Sequence, residues 1–171
     1  MTRLLAVTLT ILLTASPLPA AFGQSGTVVI SNFKFGLVCG TDQSRRICFE
    51  TKDIPLTNEG LCAYNRQQVP CTWYGYSFDY RLPSREVALQ CEWTSSVPVN
   101  EGNPQGIREK GASGGRYEIV LRNDEQHFFN PQYLTLPPAF VPRQVQRSTQ
   151  SCSYMGQKLF EVAFQLRNPE Q

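Results

Sequence analysis

Beyond its first residues the chain alternates apolar and polar side chains with a period of two, the repeat of a half-buried strand. No later segment sustains the apolar stripe at three and four spacing that a helix needs. The stretch TVVISNFKFGLVC, residues 27–39, sets Val29, Phe33, Phe35, Leu37 and Cys39 on one side and Val28, Ile30 and Val38 on the other. The turn residues GTDQS and a short strand RRICFE complete a hairpin. The next pair is CTWYGYSFDY, residues 71–80, and EVALQCEWT, residues 86–94, joined by RLPSR. It reads as a second hairpin turning at Pro83. Its odd-numbered face, with Trp73, Val87, Leu89 and Trp93, is then the core face. Its even face sets Tyr74, Tyr76, Phe78 and Tyr80 as an aromatic ladder beside Gln90 and Glu92.

RYEIVL, HFFN, PQYLTL and the residues around Cys152 add short extended pieces. KLFEVAFQLR is the last strand, with Phe160, Val162, Phe164 and Leu166 on one side and Leu159 and Ala163 on the other, too apolar for a sheet edge. Three stretches break the alternation. Residues 51–70 read as a braced loop, with room for one or two helical turns between Leu61 and Gln68 before Pro70. Residues 95–115, SSVPVNEGNPQGIREKGASGG, read as a long flexible loop. LPPAFVPR, residues 136–143, favours polyproline geometry. Antiparallel strands of this kind bury one face only by stacking on a second sheet. The expected fold is all-β, a disulfide-braced antiparallel β-sandwich, with a small β-barrel as the alternative.

The first residues change the picture of where this fold works. Arg3, the apolar run Leu4 to Leu13, the breakers Pro17 and Pro19, and the small residues of Ala21-Phe22-Gly23 make residues 1–23 a signal peptide. The run is roughly half the length that spans a bilayer, so cleavage before Gln24 is expected rather than anchorage. Residues 24–171 then form a single β-rich domain. The short leader and the absence of any Asn-x-Ser/Thr sequon point to a bacterial periplasm or outer surface.

An exported chain with six cysteines, Cys39, Cys48, Cys62, Cys71, Cys91 and Cys152, is expected to hold three disulfides. Fifteen pairings are possible. Spacing favours Cys39 with Cys48 and Cys62 with Cys71 across short loops, leaving Cys91 and Cys152, whose long separation suits a bridge between sheets. Zinc and thioredoxin-like redox chemistry both lack support, because there is no C-x-x-C and only one histidine.

Charge and motif narrow the function further. The formal net charge is only +2 and its charges are scattered, so no nucleic-acid or basic membrane surface is expected. GASGG, residues 111–115, matches G-x-S-x-G around Ser113, but a strand follows it where a nucleophile elbow needs a helix. Any histidine base must be His127. Asp79 and Glu92 are the best-placed carboxylates, yet alternation points them to opposite faces of the supposed hairpin. No catalytic residue, metal or cofactor is assigned, and the balance favours a non-catalytic protein.

The candidate binding surface is the ladder Tyr74, Tyr76 and Tyr80 with Gln90 and Glu92, and Arg81 and Arg85 at its turn. The expectation is an exported binding or assembly protein, a subunit or accessory component of a cell-surface or periplasmic assembly. It would work through a protein partner or self-association, with TVVISNFKF available for strand addition. One alternative is glycan binding by the tyrosine face. Others are a secreted hydrolase, or a hydrolase inhibitor acting through the 95–115 loop.

Overall fold

A computed structural model describes residues 26–40, 44–64, 66–99, 102–103, 106–107, 112–134 and 145–168. The leader, residues 1–23, and the proline-rich stretch 136–143 lie outside the described residues. Strands account for nearly all of the rest: β1 (Val29–Cys39), β2 (Arg46–Glu50), β3 (Asp53–Pro55), β4 (Gly60–Tyr64), β5 (Gln67–Arg81), β6 (Glu86–Val99), β7 (Gly102–Asn103), β8 (Gly106–Ile107), β9 (Ala112–Arg122), β10 (His127–Leu134), β11 (Val145–Tyr154) and β12 (Gln157–Arg167). No α-helix occurs among the described residues.

The strands form two sheets. The first runs β2-β1-β5-β10-β7-β8, with β4 also on β5; the second runs β3-β12-β11-β6-β9. Together they form a disulfide-stabilised sandwich, as the alternation requires. The β1–β2 hairpin is present, with Leu37 opposite Phe49 and Cys39 opposite Arg46. The last strand, β12, is internal, between β3 and β11.

The central hairpin is not there. β5 pairs with β1 and β10, whereas β6 pairs with β11 and β9. The RLPSR connection therefore carries the chain from one sheet to the other. The two strands face each other across the core instead of lying side by side. This inverts the reading of β5. Its even face turns inward, so Tyr74 and Tyr76 are fully buried at 0% exposure and Tyr80 is 3% exposed. Against them pack the odd residues of β6, Val87, Leu89, Cys91 and Trp93, with Ile119, Leu121, Val162, Phe164 and Leu166. The ring of Phe78 lies 5.2 Å from both Phe128 and Phe160, and Tyr74 meets Phe164 edge-on at 5.0 Å. Such pairs add about 0.5–1.5 kcal/mol each beyond burial.

The tyrosine hydroxyls find partners inside. Tyr80 Oη–H donates to the Arg122 carbonyl at 2.7 Å, and burial pushes its phenol pKa up. Tyr76 Oη lies 3.4 Å from Tyr117 Oη, and Tyr117 Oη–H donates to Gln150 Oε1 at 2.9 Å. The inward face of β11 is polar: Gln146, Ser148 and Gln150 are all fully buried. Gln150 on the second sheet and Gln132 on the first exchange amide hydrogen bonds, Gln132 Nε2–H donating at 2.8 Å. A buried amide must be met by a partner of this kind or carry an uncompensated desolvation cost.

The disulfides are Cys39–Cys48, Cys62–Cys71 and Cys91–Cys152. Contrary to expectation, Cys91 and Cys152 do not join the sheets. They are direct cross-strand partners of β6 and β11 within the second sheet. The other two bridges tie β1 to β2 and β4 to β5, so every disulfide stays inside one sheet. The supposed loop over residues 51–70 holds β3 and the β4–β5 hairpin, with Leu61 opposite Pro70 and Cys62 opposite Val69, and no helical turn among its described residues. The supposed loop over 95–115 is extended strand at both ends, because β6 continues to Val99 and β9 begins at Ala112.

Candidate functional site

The tyrosine ladder is not a surface, since all its rings face the core. Gln90 and Glu92 are exposed on the outer face of the second sheet. There Gln90 Nε2–H donates to Glu118 at 2.9 Å and Glu92 stands opposite Arg116. Arg81 and Arg85 are exposed at the two ends of the intersheet connection, and Arg85 borders a shallow hollow with the Arg122–Glu86 ion pair. The sequence candidates thus divide between a buried core, a sheet face and a connection, and do not converge.

Side chains converge elsewhere, at the end of the first sheet where two disulfides flank one cleft. This cleft has a volume of about 470 Å³, and Leu37, Val38, Leu61 and Trp73 supply its apolar walls. Arg45 and Glu59 supply opposite charges, and Cys39 and Cys71 bring one sulfur bridge to each side. Alternation along β5 gives Val69, Cys71 and Trp73 the same outward direction, away from the tyrosines. Trp73 is then fixed from several sides. Its Nε1–H donates to the Leu61 carbonyl at 3.3 Å, and the Arg45 guanidinium carbon lies 4.0 Å from its ring centroid. The Tyr133 ring meets it edge-on at 5.1 Å. Tyr133 is itself tied by Oη–H to the Ala63 carbonyl at 2.8 Å. Position 60 must be glycine for this packing, because a Cβ there would lie 2.7 Å from Trp73 Cδ1. Leu61, on the same hairpin, remains 64% exposed.

A concave, mainly apolar wall with a few placed charges is the usual composition of a binding site. A cation over an indole contributes about 0.5–1 kcal/mol at an exposed site, which helps hold Arg45 in place. Thr57, Glu59 and Thr72 add polar groups to the lining. Sequence reasoning missed this site by assigning Trp73 to the core. The signal was present in Cys71-x-Trp73, which places the indole beside the Cys62–Cys71 bridge on the same strand face.

A second cluster lies at the other end of the same sheet. Asp79 Oδ2 accepts from Asn32 Nδ2–H at 2.7 Å, and Asp79 Oδ1 lies 2.7 Å from His127 Nδ1. These contacts, Asn32 first, hold the Asp79 carboxyl below its ordinary value of 3.8. Glu92, the carboxylate paired with Asp79 in the sequence reading, sits on the other sheet. Ser113 lies within β9 and not on a strand-to-helix turn. Among the described residues, no group of three or more His, Cys, Asp or Glu is placed to hold a metal ion. No helix among them is long and apolar enough to cross a membrane.

No protein-family model matches the chain, and no curated protein matches it in sequence.

Proposed function

We propose that this is an exported, non-catalytic binding protein that captures a protein partner in the Trp73 cleft. The observation that carries the reading is the bracing of that cleft. Two of the three disulfides close nine-residue separations on either side of it, away from the main core. Local bridges of this kind fix the shape of a surface before a partner arrives, which reduces the ordering cost of binding. The partner that suits the cleft is a segment presenting an apolar side chain to Trp73 and Leu61, oriented by Arg45 and Glu59.

Export is supported by the leader pattern of residues 1–23 and by the pairing of every described cysteine, both of which suit an oxidising compartment. A bacterial periplasm or outer surface is the compartment proposed. Glycan binding loses its main ground with the burial of the tyrosines, and the face of Trp73 that could stack on a sugar ring is shared with Arg45.

The test is native purification of the mature protein with identification of its associated chains, repeated with Trp73→Ala and Leu61→Asp. A fixed partner that accompanies the natural chain and is lost from both variants is expected. Leu61→Asp should keep the natural unfolding midpoint, since its side chain is exposed. A partner retained by both variants, or no partner at all, overturns the reading.

A further inference from the structure

We infer that β9 is a homodimerisation edge, on which two copies of the chain join their second sheets antiparallel about a twofold axis at Tyr117. This surface is separate from the Trp73 cleft and does not depend on it.

The argument starts from how the other open strands are treated. A free edge invites pairing with another chain, and proteins blunt such edges by shortness, bulges, proline or charge. Here β3 has three residues and β8 has two. β2 has five and a register shift against β1. The outer edge of β1 is broken by a bulge between Ser31 and Lys34, where Asn32 takes a φ of 49°. β10 carries Pro131. Of these devices β9 carries only charge, and in both signs, and its one register shift against β6 lies at its start, between Ala112 and Gly114. It pairs with β6 without interruption from Arg122 to Gly114, and no strand pairs with its other edge among the described residues. It contains no proline, and its two glycines, Gly114 and Gly115, ease close approach of another backbone.

Charge then selects the occupant and the register. Gly114, Arg116, Glu118 and Val120 alternate along the outer face of the second sheet, and Val120 is 43% exposed. In an antiparallel pair centred on Tyr117, Arg116 stands opposite Glu118 of the second copy, and Glu118 opposite its Arg116. Val120 covers the second copy's Gly114. The overlap uses the whole of β9. Each Arg116 would lie between its own Glu92 and the other copy's Glu118, extending a polar row already present across β6 and β9. Other centres do worse. At Glu118 two carboxylates collide, and at Ile119 Arg116 faces Arg122. At Val120 the overlap is shorter and depends on Arg122, which is already engaged by Glu86 at 3.1 Å. Self-complementarity of this sort is what a twofold interface requires. One pair of strand edges buries less than the roughly 1,200–2,000 Å² of a standard stable interface, so the dimer is concentration-dependent.

The test is sedimentation velocity of the disulfide-intact mature protein over a concentration series, at low and high salt. The natural chain should dimerise reversibly, more weakly in high salt. Arg116→Glu and Glu118→Arg should each weaken dimerisation about ten-fold or more. An equimolar mixture of the two should recover it as a heterodimer, and so should the double variant R116E/E118R. Arg122→Glu should leave it unchanged. A natural chain that stays monomeric overturns the proposal. So does a dimer indifferent to the single charge reversals, failure of the mixture to recover, or sensitivity to Arg122 in place of Arg116. Unchanged unfolding midpoints of these exposed-site variants keep folding out of the comparison.

Discussion

The paired amides of Gln132 and Gln150 are the strongest test of how the two sheets recognise each other. Gln150→Leu keeps the side-chain volume but leaves both amide groups of Gln132 without their partner in a buried site, and removes the acceptor of Tyr117 Oη–H. Each orphaned buried group costs about 1–3 kcal/mol, so the variant should lose about 3 kcal/mol. Gln132→Leu should lose about 2 kcal/mol, because Gln150 Oε1 still accepts from Tyr117. In the double variant the orphaned amide groups vanish together and leucine packs against leucine, while Tyr117 Oη–H still lacks its Gln150 acceptor. Its loss should be about 2 kcal/mol, which is about 3 kcal/mol less than the sum of the single losses. Urea unfolding of the four oxidised proteins measures this cycle, with the slope of each transition checked for constancy. Additive losses, with no coupling between the sites, would refute the reasoning. They would mean that the amides are satisfied independently and do not tie the sheets together.

Two further outcomes follow from the bridges and the Asp79 cluster. Replacing both Cys91 and Cys152 by serine releases a separation of 61 residues and should cost about 4 kcal/mol, against about 3 kcal/mol for either nine-residue bridge; equal losses in urea unfolding for the long and short bridges would contradict the loop-length account. Asp79 has a folded pKa below 3.8, so its contribution to stability is present above that value and is lost as pH falls through the folded pKa. Asp79→Asn should therefore show a shallower loss of stability in this acid range than the natural chain, read from urea midpoints against pH, and parallel curves would refute the assignment.

Much of the fold was legible because a period of two is a local signal. The apolar side of β12 and the inward residues of β6 can be read by counting alternate positions. Strand partnership is different, because alternation says which side chains share a face and not which strand lies beside them. Four residues between β5 and β6 are enough for a hairpin and also enough to cross between sheets. The crossing exchanged a supposed surface of tyrosines for a buried one. It also left Trp73, the residue that looked most like core, at the rim of a cleft. The hydroxyls of Tyr76 and Tyr80 misled for a physical reason: a phenol needs a polar partner, and the partners, Tyr117 and the Arg122 carbonyl, lie 41 and 42 residues away in sequence. The polar inward face of β11 hid its direction similarly, since Gln146, Ser148 and Gln150 look solvent-facing until Gln132 and Ser95 are brought opposite.

Because each disulfide joins strands of the same sheet, the cysteines act during folding as latches on strand alignment and not on sheet stacking. A wrong bridge would freeze two strands out of step. With a two-residue repeat, an offset of one position turns a strand's apolar side toward water. An oxidised misfolded chain would therefore display sticky sheet faces, whereas a reduced chain could still slide into alignment before its bridges close. Under oxidising conditions, the order of alignment and oxidation then decides between a soluble product and an aggregate, and disulfide exchange is the means of correcting the order when it goes wrong.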